Sequence, residues 1–572
     1  MTHIAERPAT PRLHLPPRRL EQLALGAIVV GALLRVVVFL QRRPLWIDEA
    51  MVALNIGRRD LAGFLSPLDW DQVAPIGWLA LESLLVRTFG MHEWVLRVPA
   101  LLAGIATPWV VWRVARPWVG AKAALIATVL VATNAALIYH ANEAKPYALD
   151  ALVAIALLGS AWAVLAPPTT SNRRAQWWRL AVLGVLGTLF SLPAILVLAG
   201  IGVLLLAVAA YQRDRGMAAT TVAVSAVWLL AFLPVWVVSY RPATLNATMQ
   251  AFWFDAMAQL GSPGLPGRVG DLLNQIARMI TTAPPWDAWP IVVALVTIGA
   301  ALLWTQGRWR AMVLITSPLA MLGAGWLTDQ VAVGVRVSLW AVPSLTLLAA
   351  STLAVIGDGA RWRRNCTIAG VLALAVSGAV DGVGRDSPNG GRDLIEGVMA
   401  QHPDVVYLSA GALPHWLVAT TDWSRPDTDR LDTLAWLASS GGPLFHNPLH
   451  RTLAPIVPDR VDGPVPQEIM GRSAGIRIEY GGHRDLAAIS GWGEAEAERI
   501  SAHANRGIHV LMIFAQPAAR NTLFRGLRTA GVSVHECGTE HRAWWWYVGP
   551  QPPAHCRLLF TPEPARPPQE GP

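Results

Sequence analysis

Charge is what this chain most lacks. Only 15% of its 572 residues are charged, against 53% hydrophobic ones, and its mean hydropathy is +0.39. A soluble globular domain carries about 25% charged residues, so that class is excluded. Cysteine is scarce too. Cys366, Cys537 and Cys556 form no CxxC spacing, which leaves a structural zinc site or a thioredoxin-like redox centre without support. There is no Walker loop, no GxGxxG, no HExxH and no long internal repeat, so phosphate-loop, dinucleotide and zinc-protease chemistry have no foothold. The formal charge of +8 calls for no nucleic-acid partner, because arginines at membrane borders account for it.

What the chain does have is a succession of apolar runs. Crossing a bilayer takes roughly 20 residues as a helix, since hydrocarbon satisfies no backbone hydrogen bonds. Runs over 22–40, 97–114, 122–138, 148–166, 180–190, 193–211, 217–239, 288–304, 311–327, 338–357 and 366–381 predict about 11 transmembrane helices. Lys and Arg are denser in the alternate set of connections that contains 1–21, which makes residues 1–21 a cytoplasmic tail. Loops 41–97, 139–147 and 240–287 then face outside, and so does everything after residue 382. This parity depends on "LAVLGVLGTLFSLPAILVLAGIGVLLLAVAAY" (180–211), which would be about 48 Å long as one helix at 1.5 Å per residue. With arginines at both ends and "SLP" in the middle, it reads as a hairpin turning at Ser191–Pro193. Within the first outer loop, "PIGWLALESLLVRTFG" (75–90) is too short to span and reads as a helix along the interface, and 240–287 also reads as hugging the membrane surface.

From 382 onward no membrane-length run occurs. "DVVYLSA" (404–410) and "GIHVLMIFA" (507–515) read as buried strands, with a helix over 518–531 before "VSVHECG". The transmembrane domain thus covers 22–381, and 382–572 is expected to be a soluble extracytoplasmic α/β domain. Cys537 and Cys556 lie in this domain, either as a disulfide or as two unpaired thiols. In "HRAWWWYVG" (541–549) alternate tryptophans are expected to pack a core on one face and the membrane surface on the other.

The chemistry-bearing residues gather in the outer loops. "QRRPLWIDEAMVALNIG" places Asp48 and Glu49 side by side just after the first run, in a loop that also holds Asp69 and Asp71. Acids at a wet helix end are commonplace; as chemistry, they serve as a general base on a hydroxyl or as hard oxygen ligands for a cation. A second loop, "YHANEAKPYALD" (139–150), brings His140, Glu143, Lys145, Tyr147 and Asp150 together, or else is an ordinary solvated turn. Lys145 and Arg336 suit a phosphate clamp, although for Arg336, as for Arg35, snorkelling is the plain alternative.

"LWIDEAMVA", "DQVAPIGWLALESLLVRTFGMHEWVLRVPALLAG" and "YHANEAKPYAL", in this order over residues 20–210, resemble the bacterial relatives of the protein O-mannosyltransferases, glycosyltransferase family 39. Their GT-C fold is shared with the lipid A aminoarabinose transferases. The resemblance implies an inverting hexosyl- or pentosyltransferase in a bacterial inner membrane, with its active site on the extracytoplasmic side. It implies a polyprenyl-phosphate-linked sugar as donor and an envelope glycan, lipid or protein as acceptor. On that pattern Asp48 is the base on the acceptor hydroxyl, and Glu49 positions acceptor or sugar. Glu143, Lys145, Tyr147, Arg336, His140 and Asp71 are expected to meet the donor's phosphate and sugar. No cofactor is certain; a divalent cation (Mg, Mn or Ca), if used, would fall to Asp48 and Glu143. Two positions depart from the pattern: Lys145 stands where arginine is more usual, and Val337 where an aromatic follows the late arginine. The competing reading is a transporter or non-catalytic scaffold for lipid-linked sugars. A transporter typically carries repeats and mid-membrane polar residues, whereas here the ionisable residues sit at the outer border.

Overall fold

A computed structural model describes residues 16–166, 172–245, 289–316, 319–320, 336–385, 392–408, 413–424, 472–473, 476–480, 492–507, 510–514, 517–540 and 543–560. Most of the 240–287 loop and most of the expected 311–327 span lie outside these residues, as does part of the 382–391 connection.

The membrane part is built from α1 (Pro17–Leu40), α2 (Ile47–Arg58), α3 (Ile76–Phe89), α4 (Glu93–Val119), α5 (Ala121–Thr133), α6 (Ala135–His140) and α7 (Tyr147–Leu165). It continues with α8 (Arg173–Phe190), α9 (Ala194–Gln212), α10 (Arg215–Val235, running on to Leu245), α11 (Trp289–Thr305), α12 (Val342–Gly357) and α13 (Arg361–Gly384). Seven stretches among the described residues are long and apolar enough to cross a bilayer: α1, α4, α7, α9, α10, Leu339–Gly357 and α13. This is a multi-pass helical membrane protein. The other described segments among the eleven expected are helical as well, but modified. Arginines open α8, α11 is 17 residues long, and the 122–138 run is broken at Asn134, which caps α6 by accepting from the Leu137 N–H.

That break explains Arg35. Instead of snorkelling, it is fully buried and donates to the carbonyls of Gly31 (2.9 Å), Ala132 (2.7 Å) and Val131 (3.3 Å). The last carbonyls of α5 have lost their helical partners, and the guanidinium supplies them. Arg35 is a structural clamp between α1 and α5, outside the site described below.

The chain turns between α8 and α9 at Ser191–Pro193, and α10 packs on both helices. Ion pairs Arg116–Glu21, Lys122–Asp358 and Arg173–Asp214 mark the end of the bundle where α1 and α8 begin. The acid pair follows the other end of α1.

The C-terminal part contains α14 (Arg392–Met399), α15 (Leu413–Thr420), α16 (Trp492–Ala504) and α17 (Pro517–Thr529). Among the described residues, seven strands form one sheet: β1 (Val405–Leu408), β2 (Arg472–Ser473), β3 (Ile476–Tyr480), β4 (Val510–Phe514), β5 (Val534–Glu540), β6 (Ala543–Val548) and β7 (Arg557–Phe560). Their order is β2-β3-β1-β4-β6-β5-β7, with β3, β1 and β4 parallel and the remaining pairings antiparallel. Trp546 and Val548 join Ile500, Leu523 and Leu527 in the core on one face. On the other face Trp545 and Tyr547 are buried too, and α14 packs across β5 and β6. The expected membrane-facing tryptophan is therefore an interior one at Trp545. Cys537 and Cys556 form a disulfide. Helix α15 packs against α2, Val418 joins the apolar cluster around Ala53 and Trp78, and the Trp423 ring lies against Gly57.

Candidate active site

Helix α2 begins at Ile47, so Asp48 and Glu49 occupy its first turn, where the exposed N–H groups and the helix dipole favour carboxylates. Successive helical residues point about 100° apart, since 3.6 residues make a turn. Adjacent in sequence, the two acids therefore have different surroundings.

Glu49 turns inward and is 2% exposed. Its Oε1 accepts from Arg97 Nε at 3.1 Å and from the Ala144 backbone N–H at 2.6 Å. Its Oε2 accepts from Arg97 Nη2 at 2.9 Å and from the Trp46 N–H at 3.0 Å. Arg97, on α4, also donates to the carbonyls of Arg43 and Pro44. One buried ion pair thus ties together the 43–46 segment, α2, α4 and the 139–147 loop. Burial costs a charge dearly unless it is paired and hydrogen-bonded, and here both oxygens are.

The second loop is buried rather than solvated: His140, Asn142, Glu143 and Lys145 are each at most 6% exposed. Gly104 of α4 makes room for it, because a Cβ there would overlap Ala141. Glu143 Oε2 meets His140 Nδ1 at 2.7 Å, and the His140 ring stands edge-on to Tyr147, 5.6 Å between centroids. Burial by itself would raise the Glu143 carboxyl, but His140 above all, then Arg336 and Arg97, hold it below its ordinary range. Lys145 Nζ donates to Gln72 Oε1 at 2.6 Å, and burial pulls its pKa down to about 8 despite the nearby charges of Asp48, Glu143 and Glu49.

Asp48 turns the other way. Its Oδ2 accepts from Arg336 Nη1 at 2.8 Å, bringing together residues 288 positions apart, and both side chains keep about a quarter of their surface exposed. The Arg336 guanidinium also lies over the Trp46 ring, 5.0 Å from its centroid.

Asp71 stands half-buried in the turn 69–72, and the side chain this turn delivers to Lys145 is that of Gln72. Trp70 and Asp71 both have left-handed backbones, φ 62° and 54°. Aspartate tolerates that region; a buried tryptophan held there costs on the order of 1–3 kcal/mol.

Sequence reasoning overlooked Arg97, Gln72 and Trp46. Arg97 had a signal, being an arginine in the opening turns of an apolar run; Gln72 and Trp46 had none.

The carboxylates considered for a divalent cation do not suit one. Asp48 already faces Arg336 and Glu143 faces His140, with Lys145 close to both acids. A hard cation takes six or more oxygen ligands, or keeps several waters, and the positive charges of Arg336 and Lys145 beside these acids oppose it. Among the described residues one group of three metal-type side chains lies close together, Cys537, His555 and Cys556, and its thiols are joined to each other.

Residues 74–237 match the family described as dolichyl-phosphate-mannose-protein mannosyltransferase, a stretch that includes the second outer loop and leaves out Asp48, Glu49 and Arg336. No curated protein matches the chain. Among solved structures, the chain is similar to ArnT from Cupriavidus metallidurans bound to undecaprenyl phosphate, at 14% identity over 93% of this chain and 98% of that one, TM-score 0.48. It is similar to an oligosaccharyltransferase from Archaeoglobus fulgidus in complex with zinc and sulfate (15% identity, 69% of this chain, 61% of that one, TM-score 0.46). It is also similar to the mycobacterial arabinofuranosyltransferase AftD (14%, 94% and 40%, TM-score 0.42). The match over residues 74–237 is to the type of family that the loop motifs of this stretch resemble.

Proposed function

We propose that this protein is an inverting glycosyltransferase that moves a sugar from a polyprenyl-phosphate-linked donor to an acceptor hydroxyl at the extracytoplasmic face of a bacterial cell membrane. The observation that carries this reading is the Asp48–Arg336 pair: a carboxylate and a guanidinium meet, partly exposed, at the edge of an otherwise buried charge cluster. A base and an anion clamp are what such a transfer requires. Phosphate is a competent leaving group, so no acid need protonate it.

The donor phosphate draws Arg336 away from Asp48 and meets Lys145 on its other side. Released from its partner, Asp48 takes the proton of the acceptor hydroxyl. That oxygen attacks the anomeric carbon from the face opposite the phosphate, and the carbon–oxygen bond to phosphate breaks. Polyprenyl phosphate departs with its new charge against Arg336 and Lys145. Glu49 and Arg97, fully paired to each other and to backbone, hold α2 so that Asp48 faces outward. His140 and Glu143 stiffen the loop that carries Lys145 and Tyr147. No step passes through a divalent cation, since the donor set does not suit one. The Cys537–Cys556 disulfide supports an oxidising location for the C-terminal domain. The acceptor is a hydroxyl of an envelope glycan, lipid or protein, and the sugar a hexose or pentose.

The test is transfer of radiolabelled sugar from polyprenyl-phosphate donors in membranes, comparing wild type with Asp48→Asn at equal abundance. Loss of a general base costs on the order of 10²–10⁴-fold in rate, and the variant should lose that much while still binding polyprenyl phosphate. Equal transfer by both proteins removes Asp48 as the base. Binding of donor by wild type without transfer to any acceptor favours a carrier or scaffold instead.

A further inference from the structure

Lys145 is buried and carries a positive charge, yet among the described residues its hydrogen-bond partner is a neutral amide and no carboxylate forms an ion pair with it. An ammonium has three donors, and Gln72 Oε1 takes one of them. The orientation of that amide is settled by chemistry at both ends. An ammonium can only donate, and the carbonyl of Trp70, which receives Gln72 Nε2 at 3.1 Å, can only accept. Considerable structure goes into holding Gln72 there. The Asn55 side chain bonds Asp69 through both its amide atoms, Nδ2 to the Asp69 carbonyl at 3.1 Å and Oδ1 from the Asp69 N–H at 3.0 Å. Arg58 and Arg59 both grip the Asp69 carboxylate. Between these anchors and Gln72 the backbone passes through two left-handed residues, Trp70 and Asp71, and closes with the Gln72 N–H on the Asp69 carbonyl.

We infer that Gln72 is a positioning residue that aims the Lys145 ammonium without neutralising it, so that the donor's phosphate becomes the anion that completes the site. This rests on the reading that the cluster receives a lipid-linked phosphate. A carboxylate in place of the amide would orient Lys145 equally well but would also cancel the field the phosphate needs. The single helix α2 then sets both halves of the site, Asp48 from its first turn and Gln72 through Asn55 and Arg58 in its last turn and Arg59 just after it.

The experiment measures binding of polyprenyl phosphate and of the uncharged polyprenol to the purified full-length protein, for wild type, Gln72→Glu and Gln72→Ala. Thermal melting confirms that each variant is folded. Wild type should prefer the phosphate; Gln72→Glu should lose about tenfold of that preference and Gln72→Ala less, with polyprenol binding unchanged throughout. A merely structural role predicts parallel losses for both lipids, with Gln72→Ala at least as damaging as Gln72→Glu; either finding overturns the inference. If wild type prefers phosphate and Gln72→Glu does so equally, Gln72 loses this role while the donor reading stands. If wild type shows no preference at all, the donor reading falls and this inference with it.

Discussion

Asp48 and Glu49 are neighbours in the chain and opposites in the structure. Glu49 is buried, with four hydrogen bonds to a fixed partner set, whereas Asp48 has, among the described residues, one partly exposed partner, Arg336. The contrast separates holding from exchanging. A buried pair cannot give up a member without stranding a charge in a low-dielectric interior, so it is fixed. A pair that still reaches solvent contributes less to stability, so a ligand can displace it more cheaply. Two acids on one helical turn thus divide the labour, the inner one locating the outer one.

The largest effect that would break this comparison is on the inner pair. Arg97→Ala should destabilise the protein by about 3–5 kcal/mol, the cost of leaving Glu49 buried and unpaired. Thermal melting in detergent reads it, and an unchanged melting temperature would mean that Glu49 is not the structural member. Replacing both partners by well-packed apolar residues should restore much of the stability, since that removes the stranded charge as well.

Lys145 sharpens the comparison because it belongs to the buried half yet hydrogen-bonds a neutral amide. Its pKa is about 8 in the folded protein, against an ordinary 10.5. Between those values the unfolded chain binds more protons than the folded one, so stability rises with pH across the window. The full shift corresponds to about 3 kcal/mol at 1.36 kcal/mol per unit. Binding of polyprenyl phosphate should move the opposite way, weakening as pH climbs past 8 and the ammonium is lost. Melting and lipid-binding curves over pH 7–10.5 check both slopes, and a Lys145→Met variant should flatten them; parallel slopes in wild type would place the phosphate elsewhere.

Much of this was legible in the sequence because it follows from local rules. Within the described residues, apolar runs of membrane length became helices, "SLP" became the turn between α8 and α9, and "DVVYLSA" and "GIHVLMIFA" supplied β1 and β4. The meeting of Asp48, Arg336, Lys145 and Glu143 was legible only as loop residues expected on one face. What escaped depends on contacts between distant segments. That Glu49 faces inward follows from Arg97 lying 48 residues away, and the buried second loop from Gly104 admitting Ala141. Arg35 looked like a snorkelling arginine because nothing local reveals that α5 breaks beside it. One face of the tryptophan strand was expected against the membrane, because strand alternation says which residues share a face but not what covers it.

The smallest expected effect concerns the outer pair, and it discriminates most finely. Arg336→Lys keeps the positive charge but gives up the planar fork and the flat contact over Trp46. Because the pair is partly exposed and Arg336→Lys keeps its charge, stability should move by about 1 kcal/mol or less. Donor binding should weaken about tenfold, since a point charge on a flexible stem cannot replace two parallel hydrogen bonds to phosphate. The loss should appear in KM for the lipid-linked donor more than in kcat, because Asp48 is untouched and the base is still present once donor is bound. A fall confined to kcat would instead mean that Arg336 acts on the departing phosphate only in the transition state. A melting temperature that falls as far as that of Arg97→Ala would mean that the outer pair is as structural as the inner one, and the division of labour between the two acids would be lost.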